Sequence, residues 1–542
     1  MHKAPPTPDR IEAAEHVLGV AYTPAEREQM QEALALQIGR ARLLRGFGLA
    51  EDDAPASRFD PRLPGFKMPT ASGVTVSPVA RAIPDNAADI AFASLRELSH
   101  WLRTGQISSV RLTEIYLDRI FRHAPTLECV ALATPGLAMR QAQAADARLA
   151  EGVWLGPLHG VPYGLKDLFD TKGLPTTWGA ETHLGRLPDR DAAIVERLAA
   201  CGAVLVAKTT LGALAYGDIW HGGRTRNPWN VEEGSAGSSA GSGAGAAAGL
   251  FGFSIATETL GSIVNPATRC GAVGLRPTFG RISRIGAMAL CWSMDKVGTI
   301  CRHVEDAALV IDALNGFDPR DASSIDASFA YDAAAPFGKL RVGYFAEDFA
   351  DAADAANLRA IASLGHELVE LHRAPLPYDL LGDILTAEAA AAFEELTLSN
   401  RDDLLTWQEP WSWPATFRRA RFLSAVDHVN RDRLRRLAMR EADRWFGEVD
   451  AIAGAPLVGP MATITNFTGH PCLCLRSGFR QLGSRMPRGI GVPAAIAEGR
   501  THCVPHGIWL WGRLFDEGAI LRLGAALEYA LGVAGERPEG FA

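Results

Sequence analysis

Between Glu233 and Glu258 the chain carries no charge, and the first half of that interval is almost wholly Gly, Ser and Ala: GSAGSSAGSGAGAAAGLFGFSIAT. Few folds accommodate such a run. A membrane span needs about 20 predominantly apolar residues, and here Gly234, Gly237, Gly241, Gly243 and Gly245 alternate with Ser235, Ser238, Ser239 and Ser242. A flexible Gly/Ser linker would not pass directly into Leu250-Phe251-Gly252-Phe253-Ser254-Ile255, which reads as buried helix and strand. The remaining reading is a backbone built for close approach, one that brings small hydroxyls together.

The bulk numbers agree with a large soluble core. The chain has 542 residues, 47% apolar and 21% charged, with a net charge of −8. That charge does not suggest a general nucleic-acid or anionic-membrane surface. The amino terminus lacks the apolar run of a signal peptide, and a cytoplasmic protein is expected. The eight cysteines form no CxxC pattern, and reduced, buried thiols are expected. No metal-ligand spacing such as HExxH occurs, and neither a metal nor a cofactor is expected. Only seven lysines are present, Lys3, Lys67, Lys166, Lys172, Lys208, Lys296 and Lys339. A lysine in an apolar setting therefore stands out.

From Ala93 onward helical and strand patterns alternate. LRELSHWLRTG and VRLTEIYLDRIFRH have helical spacing, ECVALAT and AVLVAKT read as strands, and AAIVERLAACG reads as the helix between. The expectation is an α/β fold: a central mixed, mostly parallel sheet covered by helices on both faces. LRVGYF and VDAIA add later strands, separated by a helical, Trp-rich insertion at about 380–445 that carries Trp407, Trp411 and Trp413. Residues 1–90 read as an amino-terminal helical and irregular extension and 91–542 as the main unit. In the extension Thr23-Pro24-Ala25-Glu26 is a capping box opening a helix with Met30, Leu34 and Ile38 on one face. The extension is expected to stabilise the fold or form an oligomer contact, a homodimer being the expected assembly.

Several short motifs compete for the serines. Gly237-Ser238-Ser239-Ala240-Gly241 matches a nucleophile elbow centred on Ser239, but that motif requires a strand immediately before it, and NPWNVEEGSA reads as a polar loop. Ser293-Met294-Asp295-Lys296 matches SxxK without a KTG partner. A third constellation is Lys166, at the end of the apolar stretch LHGVPYGLKDLFD, with Ser238 in the Gly-rich loop and Ser262 after Leu260-Gly261. Lys208, after AVLVA, is the rival lysine and reads as a strand-end charge.

GPLHGVPYGLKDLFDTKGLPTT, GAVLVAKTTLGALAYG, TRNPWN, GSSAGSGAGAAAG and CGAVGLRPTFGRISRIGAMAL follow one another in the order and spacing of the amidase signature family, densely over residues 94–325. The chain resembles that family, whose members hydrolyse amides with a Ser–cisSer–Lys triad. The resemblance implies Lys166 as base, Ser238 as bridging serine after a cis Gly237–Ser238 peptide, and Ser262 as nucleophile. It implies an oxyanion hole of the N–H groups of Thr259, Leu260, Gly261 and Ser262, with Gly237, Ser239 and Glu258 in support. The expected activity is cleavage of a carbon–nitrogen bond in a small apolar or aryl amide, with esters and carbamates as further substrates. The alternative is a glutaminase-type component of a transamidation complex, which would need a partner chain. The pattern departs from the family at Glu258, where Asp is usual, at Leu260 for Gly, and at Val264-Asn265 where Arg is expected. The missing Arg puts any charge network behind the nucleophile in question.

Overall fold

Apolar runs of four to six residues, β-branched and short, are what a strand buried on both faces requires. Val204–Thr209 is buried at every position, as are Pro162–Lys166 and Ala451–Gly454. The computed structural model describes residues 5–47, 54–335, 338–486 and 495–542. Its central sheet has eleven strands. In chain order they are β1 (Val130–Ala133), β2 (Pro162–Lys166), β3 (Val204–Thr209), β4 (Phe253–Glu258), β5 (Val273–Arg276), β6 (Lys296–Cys301), β7 (Arg341–Tyr344), β8 (Glu367–Glu370), β9 (Ala451–Gly454), β10 (Cys472–Met486) and β11 (Ala495–Gly512).

The strands lie in the order β8-β7-β9-β11-β10-β5-β6-β4-β2-β3-β1. The sheet is mixed and helix-covered, as the alternating pattern implies. Its parallel pairings sit in two blocks, β8-β7-β9 and β4-β2-β3. Between them the strands from β9 to β4 run antiparallel, as does the edge pair β3-β1. The parallel share is thus smaller than strand–helix alternation suggests, because β10 and β11 form one long hairpin through the centre.

Successive residues of β5 point to opposite faces. Gly274 leaves room for Ala267 and Ile263 on one face, where the helices Ala240–Ala247 and Val264–Cys270 lie. Leu473, the register partner of Leu275, meets Gly524 of the helix Glu517–Leu531 on the other face, beside the helix Val304–Leu314. The Gly/Ser-rich run is therefore a core element. All eight residues of Ala240–Ala247 are buried. A Cβ at Gly241 would stand 2.1 Å from the Cys129 carbonyl oxygen, so only glycine permits that depth.

The amino-terminal extension has the expected capping box, with Thr23 N–H donating to Glu26 Oε2 and Glu26 N–H to Thr23 Oγ1. Met30 and Leu34 are half-buried on the helix Pro24–Phe47, whereas Ile38 is exposed, contrary to the expected single covered face. The following segment lies along the main unit. Phe59 meets Phe279 edge-on at 5.1 Å, and Gly73–Thr75 pairs in parallel with Ala330–Asp332. Among the described residues no helix is long and apolar enough to cross a membrane and no cluster could hold a metal ion.

Candidate active site

Lys166 is the last residue of β2 and is wholly buried, with Leu165 and Leu168 beside it. Its Nζ lies 2.9 Å from Ser238 Oγ, 2.8 Å from Thr257 Oγ1 and 3.3 Å from the Thr257 carbonyl oxygen. Among the described residues no carboxylate touches it. Burial disfavours the ammonium and lowers its pKa to about 7, against a smaller opposing pull from Asp295 and Glu258.

Ser238 is buried and follows a cis peptide at Gly237–Ser238. A Cβ on Gly237 would sit 1.8 Å from the Gly217 carbonyl oxygen, so that position must be glycine. Ser239 turns away from the cleft. Its N–H donates to the Ser262 carbonyl at 3.1 Å and its hydroxyl to the Thr257 carbonyl at 3.0 Å, which ties the Gly/Ser loop to the end of β4. The residues before it include a short strand, Asn230–Gly234, where a polar loop was expected, but among the described residues that strand pairs only with Arg226–Asn227, outside the central sheet.

Ser262 comes at the end of the turn Thr259–Ser262 that follows β4, ahead of the helix Val264–Cys270. Gly261 takes a φ of +87°, a conformation that favours glycine. Glu258 holds the helix start. Its Oε2 accepts from Ile263 N–H at 2.8 Å and Val264 N–H at 3.0 Å. Its Oε1 accepts from Arg276 at 2.7 Å and from Asn466 at 3.1 Å. Burial alone would raise this carboxyl, but Arg276 and the backbone donors outweigh it and hold it below the usual range. Arg276 on β5 thus gives the Glu258 carboxylate a buried positive partner. Thr259 is anchored too, its hydroxyl donating to Asp295 Oδ1 at 2.6 Å.

Ser238, Ser262 and the turn Thr259–Gly261 line one cleft of about 170 Å³. Leu260 lines it with them. An aromatic wall faces it, in which Tyr216 lies 4.9 Å from Trp407 and 5.1 Å from Trp413. Trp411 is not part of the lining and is partly exposed. The rival residues fall elsewhere. Ser293 is held by Glu388 and Arg435. Lys208 is not a strand-end charge: it is wholly buried and paired with Asp167 at 3.1 Å. Lys296, with a pKa also lowered to about 7 by burial and by Arg276, donates to the Met294 carbonyl and is absent from the cleft lining. Sequence reasoning missed Arg269, Arg224 and Asp218, which also line the cleft. Arg269 sits seven residues after Ser262 on a short helix, and that helical spacing was the available signal.

A family model described as Amidase matches residues 111–472. The chain is 33% identical over 491 residues to a glutamyl-tRNA(Gln) amidotransferase subunit of Anaeromyxobacter dehalogenans (strain 2CP-C), covering 84% of this chain and 99% of the relative. It is 34% identical over 472 residues to the same amidotransferase component from Roseiflexus castenholzii (strain DSM 13941 / HLO8), covering 80% of this chain and 94% of the relative. The structure of native peptide amidase from Stenotrophomonas maltophilia superposes with a TM-score of 0.69 at 25% identity, covering 83% of this chain and 98% of that one.

Proposed function

Because the chain belongs to the amidase signature family of carbon–nitrogen hydrolases, we propose that it cleaves a carboxamide through an acyl-enzyme on Ser262, with Lys166 as base and Ser238 as relay. The observation that carries this reading is the buried Lys166 amine, which among the described residues meets only hydroxyls and a carbonyl. A neutral amine has two N–H donors and one lone pair. The Thr257 carbonyl can only accept and takes one N–H; with the second N–H on Thr257 Oγ1, the lone pair faces the Ser238 hydroxyl.

As Ser262 Oγ attacks the amide carbon, its proton passes to Ser238 Oγ while the Ser238 proton passes to Lys166 Nζ. The negative oxygen that forms accepts N–H groups from the turn Thr259–Ser262, a contribution of roughly 3–4 kcal/mol per donor. The tetrahedral species collapses, the carbon–nitrogen bond breaks, and the leaving nitrogen takes the proton back from Lys166 through Ser238. Water then attacks the ester by the same relay and releases the acid. Glu258 and Asp295 act through the backbone, by fixing the helix start and Thr259.

A glutamine-type carboxamide fits this site better than an apolar or aryl amide. The curated relatives support that reading by their names, and the cleft lining includes the charged Asp218, Arg224 and Arg269. On this reading the chain is the ammonia-releasing component of a transamidation complex and has a partner. A second reading, stand-alone hydrolysis of an aryl amide, is favoured by the wall of Tyr216, Trp407 and Trp413. Assay of the purified chain with glutamine, an acetanilide and an aryl ester separates them. Ammonia release from glutamine with little anilide turnover supports the first reading, and anilide turnover without glutamine cleavage overturns it. Absence of any adduct on Ser262 with a serine-reactive probe overturns the acyl-enzyme itself.

A further inference from the structure

The cleft lining holds more positive charge than its neighbours balance. Arg224, Arg269 and Arg485 line it together with Asp218, and Glu233 lies wholly buried behind them. Two of the arginines are accounted for. Arg224 Nε donates to Asp218 Oδ1 at 3.2 Å, while Asp218 Oδ2 accepts from Ala236 N–H at 3.0 Å. Arg485 donates to Glu233 from its backbone N–H at 2.7 Å, its Nε at 3.0 Å and its Nη2, and Asn227 adds a further donor at 2.8 Å.

Arg269 is left over. Its side chain is 9% exposed, and its nearest carboxylate is Glu233 at 3.7 Å, already occupied by four donors. Its guanidinium makes no hydrogen bond to the described residues. Burial and the charge of Arg485 lower its pKa to about 10, which still leaves it charged at neutral pH. A guanidinium has five N–H donors, and those of Arg269 face the cleft without a protein acceptor among the described residues. They are open to an acceptor that a ligand brings into the cleft.

Its place on the helix says which ligand. Asn265 and Arg269 are four residues apart on Val264–Cys270 and both line the cleft, so they share a face. Arg269 lies seven positions after Ser262, near the end of that helix, and long helical side chains lean back toward the helix start. Arg269 and Ser262 line the same cleft. We propose that Arg269 reads a carboxylate on the substrate, so that the enzyme selects amides with an anionic group a few bonds from the scissile carbonyl. The planar fork of arginine matches a carboxylate through two parallel hydrogen bonds. This rests on the reading that Ser262 is acylated in this cleft.

Two acylating probes that differ only in charge test it: mono-4-nitrophenyl glutarate and its neutral methyl ester, followed by nitrophenolate release. The wild-type chain should prefer the anionic probe by about 100-fold in kcat/KM. Arg269→Gln should lose most of that preference and Arg269→Lys should regain part of it. Glutarate binding to the Ser262→Ala protein, measured by calorimetry, should be weakened at least tenfold by adding Arg269→Gln. A preference unchanged in Arg269→Gln overturns the proposal and makes Arg269 a structural partner of Glu233. If neither probe acylates Ser262, the amidase reading fails, while glutarate binding that depends on Arg269 still upholds the subsite. Glutarate binding that is absent, or indifferent to Arg269, overturns it.

Discussion

Lys166 and Lys208 stand on the neighbouring strands β2 and β3, both wholly buried, yet their amines keep different company. Lys208 has a carboxylate: Asp167 at 3.1 Å, with the Phe169 carbonyl at 2.9 Å and Thr176 Oγ1 at 2.8 Å completing its shell. Among the described residues Lys166 has only hydroxyls and a carbonyl. Burial lowers the pKa of both amines, but around Lys208 the charge and hydrogen bond of Asp167 pull the other way. One lysine is kept as half of an ion pair and the other is left free to be neutral. The two amines are buried alike, and what separates their settings is the Asp167 carboxylate.

The comparison can be broken most severely at Lys166 itself. Lys166→Ala should lower the rate of Ser262 acylation by about 10³-fold or more, since no other group takes the proton. The folded state should survive, and stopped-flow acylation beside a melting curve reads both. The matching change at Lys208 should reverse the pattern. Lys208→Met strands the buried Asp167 and should cost about 3–5 kcal/mol of stability in denaturant unfolding. Adding Asp167→Leu should recover much of that loss, and a single variant as stable as wild type would refute the ion-pair account.

A sharper test turns one lysine into the other. Thr257→Asp puts a carboxylate against Lys166 Nζ, as Asp167 stands against Lys208. A close opposite charge favours the ammonium by about 1–3 pKa units. The acylation limb should move to higher pH by at least about one unit, and activity at pH 7 should fall about tenfold while recovering in alkaline buffer. An unmoved limb would show that the partners of Lys166 do not set its charge. The smallest effect belongs to Ser239→Ala. It removes one loop-tying hydrogen bond, worth about 1 kcal/mol, and should slow acylation only a few-fold. A folded but inactive Ser239→Ala, beside an active Ser262→Ala, would overturn the assignment of the nucleophile.

The positions of Lys166, Ser238 and Ser262 were legible in the sequence because each lies in a short local motif, at a strand end, in a Gly-rich loop and after a second strand. What surrounds them was not, because it is set by how the strands pair. Arg276 of β5 reaches Glu258 of β4 across β6, through two antiparallel pairings. No local pattern shows that contact. Asp167 pairs with Lys208 across two strands, so a lysine after AVLVA looks like a strand end until its partner is seen. The antiparallel centre of the sheet follows from the pairing of β10 with β11, whose sequences show no plain alternation over their full length. The tryptophans divide by which side of the insertion meets Tyr216: Trp407 and Trp413 do, and Trp411 does not.

The measurement that bears most directly on Lys166 as a neutral base is the pH dependence of single-turnover acylation of Ser262. An exposed lysine titrates near 10.4, so an unburied base would give a rate still climbing tenfold per unit toward pH 10. The lowered pKa of about 7 makes the amine available as pH rises through neutrality. The rate should rise around pH 7, reach a plateau in mildly alkaline buffer, and lose that limb in Lys166→Ala along with most of its magnitude. A limb that persists in Lys166→Ala would assign the proton transfer to another group, Lys296 among them, and would contradict the account.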